Sequence, residues 1–209
     1  RSSSSFPIHL DHSFKFSDCT RVFDTVTGLT TFTLPYPTPA TAQFVQSDQN
    51  APRGFLLNTT RISSTSFTAI GDYTGSDYDN AIIGRNFSFR YEYSPFFLKE
   101  DKGQGSVAIQ DGRVSIRYLS VQYEDTAQFS ARVTNRGRTP YEYTFSGRNL
   151  GSQNNILGGL SLDDGEFKFP VMGENIYTKI ELLNDTPFHC TFTGTEWTGQ
   201  WTAKAIRRV

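Results

Sequence analysis

With 209 residues, the chain is long enough for one large β domain or two small ones, with a hydrophobic core of ordinary size. Its 20 Lys and Arg against 21 Asp and Glu give a formal charge of -1, which excludes the whole-chain attraction to phosphate that a general nucleic-acid binder shows. Cys19 and Cys190 allow at most one disulfide, which excludes a disulfide-scaffolded module, and no window reaches the roughly 20 apolar residues of a membrane-spanning helix.

Side-chain bulk comes from 18 Phe and 10 Tyr against a single Met, and aromatic rings favour strands. The chain starts at Arg1 with a polar run and no Met, as expected for part of a longer protein. His9 and His12 are spaced to place two imidazoles near one metal, but the only other histidine is His189. Zinc takes three or four protein ligands, so polar loop histidines and no metal are expected here. Strands are predicted over 13–16 and 31–34. Residues 35–54 hold Pro35, Pro37, Pro39 and Pro52 among few apolar residues, which predicts a surface excursion or a boundary between two β units.

A strand follows over 66–70. Residues 71–80 are acidic and glycine-bearing, with Asp72, Asp77 and Asp79 as oxygen ligands for calcium, yet the ladder is incomplete and lacks a closing Glu. An exposed turn is the expectation. Phe87, Phe89, Tyr91 and Tyr93 alternate with Ser88, Arg90 and Glu92 in a strand stopped by Pro95. Residues 1–86 thus read as a β-rich segment with a Pro-rich loop, and 87–209 as a C-terminal antiparallel β domain.

After an Asp111-Gly112 turn, Val114, Ile116 and Tyr118 share one strand face, and Leu119, Val121 and Tyr123 make the other apolar, as in a central strand or one with a bulge. Phe129, Ala131 and Val133 alternate with polar residues, as do Tyr141, Tyr143 and Phe145, with turn chemistry at 135–138 between them. Residues 113–146 therefore predict a three-stranded antiparallel meander. A glycine-bearing connection covers 146–159, a tight turn Asp163–Gly165, and strands 166–171, 177–183 and 190–192. Trp197 and Trp201 share the parity of Ala203 and Ala205 in a long final strand, with both indoles expected in the core. The fold class is all-β, built of antiparallel sheets with meander hairpins into a sandwich- or propeller-like body, with no helix beyond about two turns.

Chemistry has few handles. Asp163, Asp164, Glu166, Glu174 and Glu196 supply carboxylates for glycoside hydrolysis, but a turn and polar strand faces account for them. No G-x-S-x-G elbow, phosphate-binding glycine loop or H-E-x-x-H pair occurs, so no catalytic residue and no cofactor is expected. The triplets at Asn58, Asn86 and Asn184 are about as many as chance gives so polar a chain. Arg132, Arg136 and Arg138 cluster at one strand end and turn, and Lys204, Arg207 and Arg208 mark the C-terminus. They are candidate contacts for acidic residues of a neighbouring subunit or for DNA phosphates.

An ordered series of segments carries a resemblance. It runs from Phe89-Arg90-Tyr91-Glu92-Tyr93-Ser94-Pro95-Phe96-Phe97 through Gly112-Arg113-Val114-Ser115-Ile116-Arg117-Tyr118, Val121-Gln122-Tyr123-Glu124-Asp125 and Tyr143-Thr144-Phe145-Ser146-Gly147 to Gly165-Glu166-Phe167-Lys168-Phe169-Pro170-Val171 and Glu196-Trp197-Thr198-Gly199. Over about 87–209 this resembles the C-terminal portion of the nozzle proteins (tail tubular protein B) of T7-like short-tailed phages, and residues 1–86 resemble them less. The resemblance implies a virion tail component assembled in the host cytoplasm, a homo-oligomer of six copies by analogy. It also implies a tail adaptor protein and tail fibres as partners, DNA passing through the lumen without sequence specificity, and no catalytic residues. The competing readings are a tail-associated polysaccharide hydrolase and a carbohydrate-binding β-sandwich.

Overall fold

A computed structural model describes residues 8–46, 54–101, 103, 105–109, 111–147 and 161–203. The described residues form β-strands and two single 3-10 turns, and all strand pairs are antiparallel. They divide into two compact units. One comprises the described residues of Arg1–Ser88, Ser146–Leu162 and Asp185–His189, and the other those of Phe89–Phe145, Asp163–Asn184 and Cys190–Val209.

The first unit contains β1 (Asp11–Lys15), β2 (Thr20–Asp24), β3 (Leu29–Thr33), β4 (Ala42–Val45), β5 (Leu56–Leu57), β6 (Thr59–Arg61), β7 (Ser66–Ile70) and β8 (Ile82–Arg85). They make two four-stranded sheets, ordered β1-β8-β4-β5 and β2-β3-β7-β6. Alternation explains the inner faces: Phe32 on β3 and Phe67 on β7 are buried, Phe32 meets Phe16 and Phe44 of β4 edge-on at ring-centroid distances of 5.1 and 5.4 Å, and Phe44 lies tilted against Phe67 at 5.3 Å. The Pro-rich stretch is thus no boundary, because β4 lies inside it and contributes Phe44 and Val45 to the core. Four residues, three of them apolar, are too short a run among prolines to register as a strand.

The second unit contains β9 (Phe89–Glu92), β10 (Lys99–Asp101), β11 (Ser106–Ala108), β12 (Gly112–Thr126), β13 (Gln128–Asn135), β14 (Tyr141–Ser146), β15 (Asp163–Glu174), β16 (Thr178–Asn184) and β17 (Thr191–Ala203). A three-stranded sheet β15-β12-β17 packs on a four-stranded sheet β14-β13-β16-β9, and β10 and β11 form a separate hairpin. Val114, Ile116, Leu119, Val121 and Tyr123 of β12 face Phe129, Ala131 and Val133 of β13 and Ile180 and Leu182 of β16 across the core. A bulge between Ile116 and Tyr118 explains the double-sided pattern of β12: it switches the buried parity from 114 and 116 to 119, 121 and 123.

The expected meander over 113–146 is not one sheet. Strands β13 and β14 neighbour each other, but β12 lies in the opposite sheet. The chain changes sheet at Asp125, which has φ +48°, and Thr126, whose hydroxyl donates to the Glu124 carbonyl at 3.0 Å and accepts from the Thr191 N–H at 3.0 Å. That corner replaces a hairpin turn. Asp163 to Gly165, expected as a turn, are the first residues of β15.

Candidate interaction surface

The outer face of the four-stranded sheet carries a ladder of charges of both signs. Cross-strand register sets Arg132 of β13 opposite Glu181 of β16, and Glu181 opposite Glu92 of β9. Arg132 pairs with Glu142 at 3.2 Å. Glu181, only 4% exposed, accepts from Arg90 at 2.5 Å and pairs with Lys179 at 3.2 Å. Burial pushes the Glu181 carboxyl up, but the hydrogen bonds and charges of Arg90 and Lys179 outweigh it and hold the carboxyl below its usual value.

Arg136 and Arg138 sit in the turn after β13, which Gly137 closes with φ +74°. The Arg136 N–H donates to the Tyr177 carbonyl at 3.0 Å, and its guanidinium lies 4.9 Å from the Tyr177 ring centroid, a cation–π contact. Beneath the turn, Thr178 donates to the Asn135 side-chain oxygen at 2.7 Å and the Asn135 amide donates to the Val171 carbonyl at 3.0 Å. Residues Arg136, Arg138, Tyr177 and Lys179, with Glu92, line an open concavity of about 500 Å³. The structure therefore brings Arg136 and Arg138 together and ties Arg132 into the neighbouring charge ladder. Lys204, Arg207 and Arg208 lie outside the described residues. Sequence reasoning passed over Lys179 and Tyr177, whose place beside the turn comes from β13–β16 pairing across more than 40 residues.

The two indoles part company. Trp197, opposite Leu119, is partly buried and packs with its ring centroid 6.1 Å from that of Phe96. Trp201 corrects the core expectation: it is 40% exposed, with its ring lying over Gly112.

Several of the other candidates are engaged in structural contacts. In the loop 71–80, the Arg21 guanidinium takes the place that a cation would fill: it donates to the carbonyls of Tyr73 at 2.8 Å and Gly75 at 3.3 Å, and to the Asp79 carboxylate. Asp72 accepts from the backbone and hydroxyl of Thr74, which lowers its pKa. His9 meets His189 at 2.6 Å and not His12, whose carbonyl accepts from Tyr36 at 2.5 Å. Among the described residues no three His, Cys, Asp or Glu gather as a metal centre would need. Of the carboxylates, Asp163 accepts from the Tyr123 hydroxyl at 3.2 Å, Asp164 from the Asp125 N–H at 2.5 Å, and Glu174 pairs with Arg113 at 3.5 Å. Burial, followed by Asp163, pushes the Tyr123 hydroxyl up to about 12. Both cysteines are free, and burial pushes the Cys19 thiol up to about 12.

Two comparisons bear on the chain as a whole. Tail tubular protein gp12 of Escherichia phage T7 is 33% identical over 120 residues, which are 57% of this chain and 15% of that protein. The chain therefore corresponds to a small part of that relative's length. The bacteriophage nozzle protein family matches residues 1–208, so the match takes in both units and not only the stretch from residue 87 onward. The chain belongs to the bacteriophage nozzle protein family.

Proposed function

We propose that this chain is a structural, non-catalytic part of a short phage tail, present in several copies around the path along which DNA leaves the capsid. The observation that carries the reading is the family match across both β-sandwich units. Two antiparallel sandwiches with aromatic cores are stiff bodies, suited to holding a ring in shape. In this reading the protein is located in the virion tail, and the adaptor and tail fibres are its neighbours. The Arg136–Arg138 turn, together with the Lys204, Arg207 and Arg208 tail, meets acidic residues of the next copy or the phosphates of passing DNA.

Electron microscopy of the full-length protein and of tails purified from virions tests this directly. Rings with this sandwich density around a central channel are expected, and a monomer absent from tails would refute the reading. The exposed Trp201 favours a second one, a carbohydrate-binding sandwich, because sugar rings stack on open indoles. Glycan binding by the purified chain, lost in Trp201→Ala, would promote it.

A further inference from the structure

Among the described residues the two packed sheets of the second unit have four edges, and three are blunted. Edge strand β15 carries two register irregularities, Pro170 and the charges of Asp163, Asp164, Glu166, Lys168 and Glu174. Strand β14 is six residues long and follows Pro140, and β9 is four residues long and holds Arg90 and Glu92. Such short, charged or bulged edges resist pairing with another chain. Strand β17 also pairs with β12 through two register irregularities, but it differs in length and charge. Its 13 residues contain one ionisable side chain, Glu196, and no proline, and positions 198–203 are all exposed. Among the described residues its only strand partner is β12, so the other edge of its second half, Thr198 to Ala203, has no strand against it. Beside its first half, an apolar hollow of about 290 Å³ between Phe89, Tyr91, Tyr93, Phe192 and Gly194 separates it from β9.

The same unit also carries a hairpin without a sheet. Among the described residues, β10 and β11 pair only with each other, extended by a hydrogen bond from Ile109 N–H to the Leu98 carbonyl at 2.8 Å. An isolated two-stranded hairpin is marginal in water and gains from a third strand. Its two strands differ in character: β10 is Lys99-Glu100-Asp101, all exposed, whereas β11 is Ser106-Val107-Ala108, uncharged and with Val107 52% exposed. The neutral strand matches the neutral edge.

We infer that β11 of one copy adds to the free edge of β17 in the next, so that the hairpin extends the neighbour's three-stranded sheet. Donor and acceptor are different surfaces of the same chain, so the contact is head-to-tail and repeats around a ring, as heterologous contacts do. The inference rests on the ring reading and names the surfaces that would close it.

Mixed assembly tests it. One batch of full-length protein carries Val107→Cys and another carries Cys at one of Thr198, Gln200 or Thr202, three positions that cover the neighbouring registers. Only a contact between copies links the two batches. Oxidation of co-assembled tails should give a disulfide-linked dimer for at least one pairing and none for either batch alone. In hydrogen exchange, β17 amides should slow at least tenfold on going from free protein to tails. Rings that form normally but yield no link at any position, with β17 exchanging equally fast in both states, would overturn this inference and leave the ring reading standing. Wild-type protein that forms no ring would overturn both.

Discussion

Glu181 shows what a single buried carboxylate does in this fold. Its folded pKa is lowered, so the stability it contributes is present above its ordinary value of 4.5 and is lost as pH falls through the lower folded value. We expect Glu181→Gln to melt below wild type at pH 7, with the gap closing progressively below about pH 4.5; parallel melting curves across pH measure it. A gap that persists undiminished at pH 2 would point to packing in place of charge. The tryptophans give a second contrast. Trp197→Ala should cost toward the lower end of the roughly 3–5 kcal/mol typical of a packed indole, whereas exposed Trp201→Ala should stay within about 1 kcal/mol in denaturant titration. Strand parity placed both rings on one face and so was legible. Burial was not, because it depends on which side chains pack around each ring, and strand parity carries no signal for that.

At the scale of elements, β13, β7 and the double-sided β12 were readable because alternation and a parity switch are local patterns. The partner of β12 was not readable. A reversal at 124–126 looks like a hairpin turn, and only the bonds of Thr126 to Glu124 and Thr191, the latter 65 residues away, identify it as a corner between sheets. The charged turn of the candidate surface was legible for the same local reason, and its Tyr177 and Lys179 side was hidden by the same distance in sequence. Close approach at Gly173 tests the packing under that turn. An added Cβ there would stand 2.1 Å from both the Asn135 and Thr178 side-chain oxygens, while one at Gly75 would meet nothing within 4 Å. Gly173→Ala should therefore lose about 1–3 kcal/mol and loosen the Arg136–Arg138 turn, and Gly75→Ala should be nearly neutral; urea midpoints compare them.

For the whole molecule, the alternating pattern and the ordered aromatic segments pointed to an all-β phage nozzle protein before any geometry was known, and the family match extends that identity to the first 86 residues. What they left out is how the chain is shared between the units. Asp185–His189 belongs with the first unit, although the residues on either side belong with the second. There Ile8 bridges to Phe188, which is 4% exposed, and His9 N–H donates to the Pro187 carbonyl at 2.8 Å. Domains ordinarily fold in turn as they leave the ribosome, the N-terminal one first. Here the N-terminal sandwich lacks its last piece until synthesis has passed residue 189, so both bodies should reach their native state late and nearly together. Stalled nascent chains ending before residue 185 should remain protease-sensitive through β1, and protection should appear in one step once Phe188 has emerged.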